Sequence, residues 1–87
     1  MKWTLYFTRQ AQKDAKKLAA AGLKPKAETL LALLRENPFQ TPPPYEKLVG
    51  DLAGASTRRL SLQHRLVYQV LSEQVTVKVL RMWSRYE

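Results

Sequence analysis

The sequence has no cysteine, which excludes disulfide staples and thiolate metal sites. Histidine occurs once, at His64, and one imidazole without thiolates does not make a structural zinc site. Acidic residues are scarce. Seven Asp and Glu stand against fifteen Lys and Arg, a formal charge of +8 over 87 residues. Such a balance favours a polyanionic partner, whether nucleic acid, an acidic protein or an anionic surface. A basic domain with no specific partner carries the same charge, so charge alone does not choose. Long apolar runs are missing as well. The longest, Leu30–Leu34, falls far short of the ~20 residues that span a bilayer. The opening MKWTLYF is too short for a signal-peptide core, and TRQAQKD follows at once. A soluble, cytoplasmic protein with no membrane partner is expected. The length fits one small domain, residues 1–87, with a core small enough for a tight partner to add to its stability.

What is present is patterned. Residues 2–7, KWTLYF, alternate, with Trp3, Leu5 and Phe7 on one face; this predicts a strand. Thr8 can cap a following helix whose apolar stripe is Ala11, Ala15, Leu18 and Ala19. Gly22 is a natural stop. Pro25 fits the first turn of a second helix with Ala27, Leu30, Leu31 and Leu34 on its core face, and Asn37-Pro38 ends it. The stretch NPFQTPPPY is a loop stiffened by three consecutive prolines. Strands are predicted near 57–62, 64–71 and 75–83, with turns near 62–64 and 72–74. The order is β-α-α-β-β-β, an α+β fold with a helical hairpin on one face of an antiparallel sheet. The other sheet face is then wet or covered by a partner.

Several side chains on that face can carry chemistry. Arg59, Arg65 and cations of the last strand, Arg81 among them, fit a phosphate-binding surface, because guanidinium groups grip phosphate bidentately. A solvated polar face without a ligand fits the same pattern. Glu46, beside Lys47 in a basic region, is either a general base or a salt-bridge partner. Tyr86 is either a stacking aromatic or an ordinary surface one. His64, at a predicted turn, reads as structural.

The segments RRLSLQHRLVYQV and VKVLRMWSRYE, with NPF closing the second helix and YEKLVGDLAGASTRRL leading into the sheet, resemble the YoeB/Txe toxins of the RelE/ParE superfamily. The resemblance covers nearly the whole chain. It implies the small RelE-like, microbial-ribonuclease-like fold. It also implies a ribosome-dependent messenger-RNA endoribonuclease of a type II toxin–antitoxin system. Its partners would be message and ribosomal RNA in the A site and a YefM-like antitoxin, in a homodimer or a toxin–antitoxin hetero-oligomer. The implied catalytic residues are Glu46 as base, Arg65 on the phosphate, Arg85 and Tyr86. Lys47, Arg58, Arg59, Arg81 and the helix lysines Lys13, Lys16 and Lys17 are the further candidates for RNA and phosphate contact. No metal or cofactor is expected, because the nucleophile is the substrate's own 2′-hydroxyl.

One position departs from the family. A histidine usually precedes the terminal tyrosine as general acid, and here Arg85 stands there. Arginine stays protonated and does not exchange a proton as imidazole does. Arg85 is therefore an electrostatic substitute, or it marks a weakened enzyme, or His64 stands in as the acid. Two other functions stay open: a ParE-like toxin that inhibits a protein target such as DNA gyrase, and a catalytically silent binding domain.

Overall fold

The computed structural model describes residues 2–42, 44–48 and 54–85, with Ser84 and Arg85 described by backbone alone. Strand β1 (Thr4–Phe7) is followed by helices α1 (Arg9–Ala20) and α2 (Lys24–Glu36). Strands β2 (Glu46–Lys47), β3 (Ala55–Arg59), β4 (His64–Leu71) and β5 (Thr76–Arg85) complete the chain, with a 3-10 turn at Ser72–Gln74. The sheet order is β1-β5-β4-β3-β2.

Both helices form where their end signals stand. Thr8 caps α1, its hydroxyl accepting from the Ala11 N–H at 3.1 Å. At the other end Gly22 takes the left-handed conformation, φ +75°. The Leu23 N–H then reaches the Leu18 carbonyl at 2.9 Å and the Gly22 N–H that of Ala19 at 3.2 Å, the paired bonds of a Schellman motif. Helix α2 carries Pro25 in its first turn and buries Ala27, Leu30 and Leu34. The buried positions of α1 are Ala11, Asp14 and Leu18, so its core stripe is rotated from the expected one, and Ala15 and Ala19 are exposed.

The core lies between the helices and one sheet face. There Leu66, Tyr68, Val77, Val79 and Met82 meet Ala11, Leu18, Leu30 and Leu34. Trp3, Leu5 and Phe7 pack against its margin.

The sheet is mixed, not antiparallel throughout. β1 pairs parallel with β5, Thr4 to Thr76 through Phe7 to Val79, while the other pairings are antiparallel. Alternation reports which face a residue takes but not which strand lies beside it or in which direction. A two-residue strand, Glu46–Lys47, also extends the edge beyond β3.

β5 is irregular opposite the middle of β4. The register passes from Arg65–Ser84 to Val67–Arg81 and then to Tyr68–Val79, so β5 carries one residue more than β4 at each step. Side chains of α1 and its cap take up backbone groups that leave the ladder here. The Thr8 hydroxyl donates to the Leu80 carbonyl at 2.8 Å. The buried Asp14 Oδ2 accepts from the N–H groups of Met82 at 3.0 Å and Trp83 at 3.2 Å. Gln10 Nε2 donates to Asp14 Oδ1 at 2.9 Å.

A second buried polar group ties down the loop after α2. Arg58, 1% exposed, donates from Nε to the Tyr68 hydroxyl at 3.0 Å and from Nη2 to the carbonyls of Pro38 at 2.9 Å and Gln40 at 2.8 Å. Its guanidinium lies 4.9 Å from the Tyr45 ring centroid. Burial pushes the Tyr68 hydroxyl above the ordinary tyrosine value near 10, while the charge and hydrogen bond of Arg58 pull it back.

Three outcomes follow, each read by urea or thermal unfolding. Asp14→Ala strands two backbone donors and is expected to cost about 2–4 kcal/mol; Asp14→Asn keeps a carbonyl acceptor and costs less. Arg58→Ala leaves buried acceptors at Pro38, Gln40 and Tyr68 and is expected to cost about 3 kcal/mol or more. Arg58→Lys recovers little of it, because an ammonium lacks the planar fork. The raised Tyr68 value stabilises the fold fully below pH ~10 and less as pH rises beyond it, since the unfolded chain loses its proton first. Tyr68→Phe should flatten that alkaline decline.

Candidate functional site

The face of the sheet away from the helices carries the charged row. Leu66 and Tyr68 point into the core, so Arg65, Val67 and Gln69 of the same strand point the other way. Register extends this face across the sheet. Glu46 of β2 lies opposite Thr57 of β3, Thr57 opposite Val67 of β4, and Val67 opposite Arg81 of β5. The neighbouring row is Arg59, Arg65 and the backbone position of Ser84. Glu46, Arg59 and Arg81 are exposed and Arg65 is half-buried. Two strand spacings across and two residues along separate the backbones of Glu46 and Arg65, about 12 Å. Arg59 donates from Nη1 to the Leu62 carbonyl at 3.2 Å, which steadies its guanidinium over the β3–β4 hairpin.

Glu46, Arg59, Arg65 and Arg81 are therefore brought to one face. Other predicted residues are not. Arg58 is a correction: its neighbours in β3, Thr57 and Arg59, belong to the open face, so alternation turns Arg58 to the helix side, where its hydrogen bonds hold it out of solvent. It is a residue of the core and does not reach a bound phosphate. Lys47 also takes the helix side, opposite Ser56, and lines a cleft with Phe39 and Tyr45. Lys13, Lys16 and Lys17 are exposed on α1, in the helix layer, so the sheet separates them from Glu46 and Arg65. Arg85 closes β5 with its backbone opposite His64. Tyr86 lies outside the described residues.

His64 is packed, not presented. Its ring stacks on Trp83 at 3.9 Å between centroids, with Nδ1 3.3 Å from the Ser61 hydroxyl. Its carbonyl accepts from the N–H groups of Leu60 and Ser61 and closes the hairpin. Among the described residues its Nε2 is buried without a hydrogen-bond partner, as is the Thr57 hydroxyl beside Glu46.

Sequence reasoning missed Thr57 and Asp14. Thr57 carries no signal, because only the β2–β3 register sets it beside Glu46. Asp14 does carry one: it stands at a core position of α1, three residues after Ala11 and four before Leu18, where a carboxylate demands buried donors.

Comparison with solved structures gives the same fold throughout. A YoeB/ParE toxin from Agrobacterium tumefaciens superposes with a TM-score of 0.82 at 29% identity, over 95% of this chain and 99% of that one. A chain of the YoeB-YefM complex from Staphylococcus aureus gives 0.78 at 27% identity, over 99% and 100% of the two chains. The YoeB dimer from the same organism gives 0.81 at 27%, with the same coverage. YafQ from E. coli, at 19% identity over 95% and 93%, shares the fold with a TM-score of 0.79. Comparison with curated protein sequences finds no match. The sequence profile of the ParE toxin of type II toxin-antitoxin systems, parDE, matches residues 5–87. With that profile spanning nearly the whole chain and the fold shared with these toxins, the chain belongs to the ParE toxin family of the RelE/ParE superfamily, the toxins of type II toxin–antitoxin systems.

Proposed function

We propose that this toxin is a ribosome-dependent messenger-RNA endoribonuclease that cuts the message in the A site. The observation that carries the proposal is the shared open face: one carboxylate, Glu46, set across from Arg59, Arg65 and Arg81 by strand register. Similarity to YoeB structures at 27–29% identity supports it.

The chemistry needs only groups that this face and the end of β5 offer. Glu46 takes the proton of a ribose 2′-hydroxyl. The freed oxygen bonds to the adjacent phosphorus, and the bond from phosphorus to the 5′-oxygen breaks. Arg65, with Arg59 and Arg81 around it, holds the phosphate and stabilises the added charge of the phosphorane. By likeness to the YoeB toxins, Arg85 and Tyr86 are assigned to the leaving oxygen. Arg85 neutralises charge there without passing a proton, so the 5′-oxygen takes its proton from Tyr86 or water. Lys13, Lys16 and Lys17 face away and meet the phosphates of ribosomal RNA instead of the message.

A YefM-like antitoxin is the expected inhibitor, as the YoeB-YefM complex illustrates for its own toxin. An acidic segment that orders on binding fits a +8 toxin with a cationic sheet face. The cytoplasm, where ribosomes are, is the compartment this reading requires. Among the described residues no helix is long and apolar enough to cross a membrane.

A second reading has its own support. The matching family profile is that of ParE, so inhibition of a protein target such as DNA gyrase competes with RNA cleavage.

Primer extension on programmed ribosomes separates the two. This chain should cut within the A-site codon, and Glu46→Gln should slow cutting by about 10²–10⁴-fold. Arg85→His should speed it by restoring a proton donor. Absence of cutting by both this chain and Arg85→His, together with inhibition of gyrase supercoiling, would reverse the order of the two readings.

A further inference from the structure

The open face continues past the arginines to the opposite edge of the sheet. There Tyr6 of β1 pairs with Lys78 of β5, and Lys78 with Gln69 of β4. Leu5 and Phe7 pack against the core, so Tyr6 points to the open face, where it is 56% exposed. The Lys78 ammonium lies 5.9 Å from its ring centroid. A concavity of about 420 Å³ adjoins the pair, floored by Thr4, Thr76 and Leu71. A single exposed aromatic needs no explanation. Here a ring, a cation and a hollow share one sheet face with the row of arginines, and that combination is what single-stranded nucleic acid uses: a stacking platform beside a charge for the backbone.

We infer that Tyr6 and Lys78 form a nucleobase-stacking subsite for the RNA strand whose scissile phosphate lies at Arg65. The inference rests on the nuclease reading of this face and extends it. Tyr6 lies two strand spacings across and four residues along from Arg65, about 16 Å, which a single strand covers in a few nucleotides. The base stacks on the exposed ring, and Lys78 meets its phosphate. Stacking tolerates any base, so this subsite supplies affinity and strand direction, not codon choice.

The test is fluorescence anisotropy with a labelled 2′-O-methyl hexanucleotide, which has no free 2′-hydroxyl and is not cut. Tyr6→Ala should raise Kd by roughly 5- to 150-fold, the range for losing one base–aromatic stack. Tyr6→Leu, which keeps bulk without a π face, should behave like alanine, and Tyr6→Phe like the parent. Lys78→Ala should flatten the salt dependence. Unchanged binding by Tyr6→Ala and Tyr6→Leu, with Arg65→Ala weakened, overturns the subsite and leaves the RNA face standing. A loss in Tyr6→Phe as large as in Tyr6→Ala assigns the effect to the hydroxyl and overturns stacking. No binding by the parent, or no change in any of these variants, overturns both the subsite and the RNA face.

Discussion

The Asp14 carboxylate is the constraint on which the rest of the structure depends. It lies in the core face of α1 and receives two successive backbone N–H groups of β5, from Met82 and Trp83. A regular strand has no two successive N–H groups on one side, and β5 has them because it carries extra residues against β4. Without a buried acceptor, that irregularity would leave donors unsatisfied in the interior. With Asp14 in place, Met82 enters the core, Trp83 stacks on His64, and Arg81 turns to the open face. One helical carboxylate thus sets the path of β5 toward Arg85. Thr8 works at the same place, capping α1 and holding the Leu80 carbonyl.

Arg58 and its neighbours show how little charge type says about position. Arg58 and Arg59 are adjacent, identical and in one strand, yet one is buried and the other exposed. Alternation separates them, and the loop after α2 completes the distinction. Its carbonyls at Pro38 and Gln40 offer acceptors to a buried guanidinium that would otherwise cost several kcal/mol to desolvate. That arginine orders the loop leading to Glu46. The buried cation therefore serves the site indirectly, through the segment that delivers the carboxylate to β2.

The two layers divide the positive charge between them. Arg59, Arg65, Arg81 and Lys78 lie on the open sheet face, and Lys13, Lys16 and Lys17 on the exposed side of α1. A polyanion on one layer does not compete for the other. The proposed action between message and ribosomal RNA would use that separation.

Much of the fold was legible in the chain. Thr8, Gly22, Pro25 and Asn37-Pro38 mark the helix ends because capping and φ restrictions act within a few residues. The strand alternation of residues 64–71 placed Arg65 opposite Leu66 and Tyr68 because side-chain direction in a strand is a local property. Glu46, Arg59 and Arg81 were recognisable as candidates by residue type and by likeness to known toxins. Local patterns hold no information on neighbours, and there tertiary structure decided. It set β1 parallel to β5, joined Glu46 to the sheet edge beside Thr57, and turned Arg58 and Lys47 to the helix side. It also gave Asp14 its partners, 68 and 69 residues away along the chain. Periodicity records how a residue sits on its own element, whereas strand order, bulges and buried hydrogen bonds arise only when distant elements must satisfy one another's backbone.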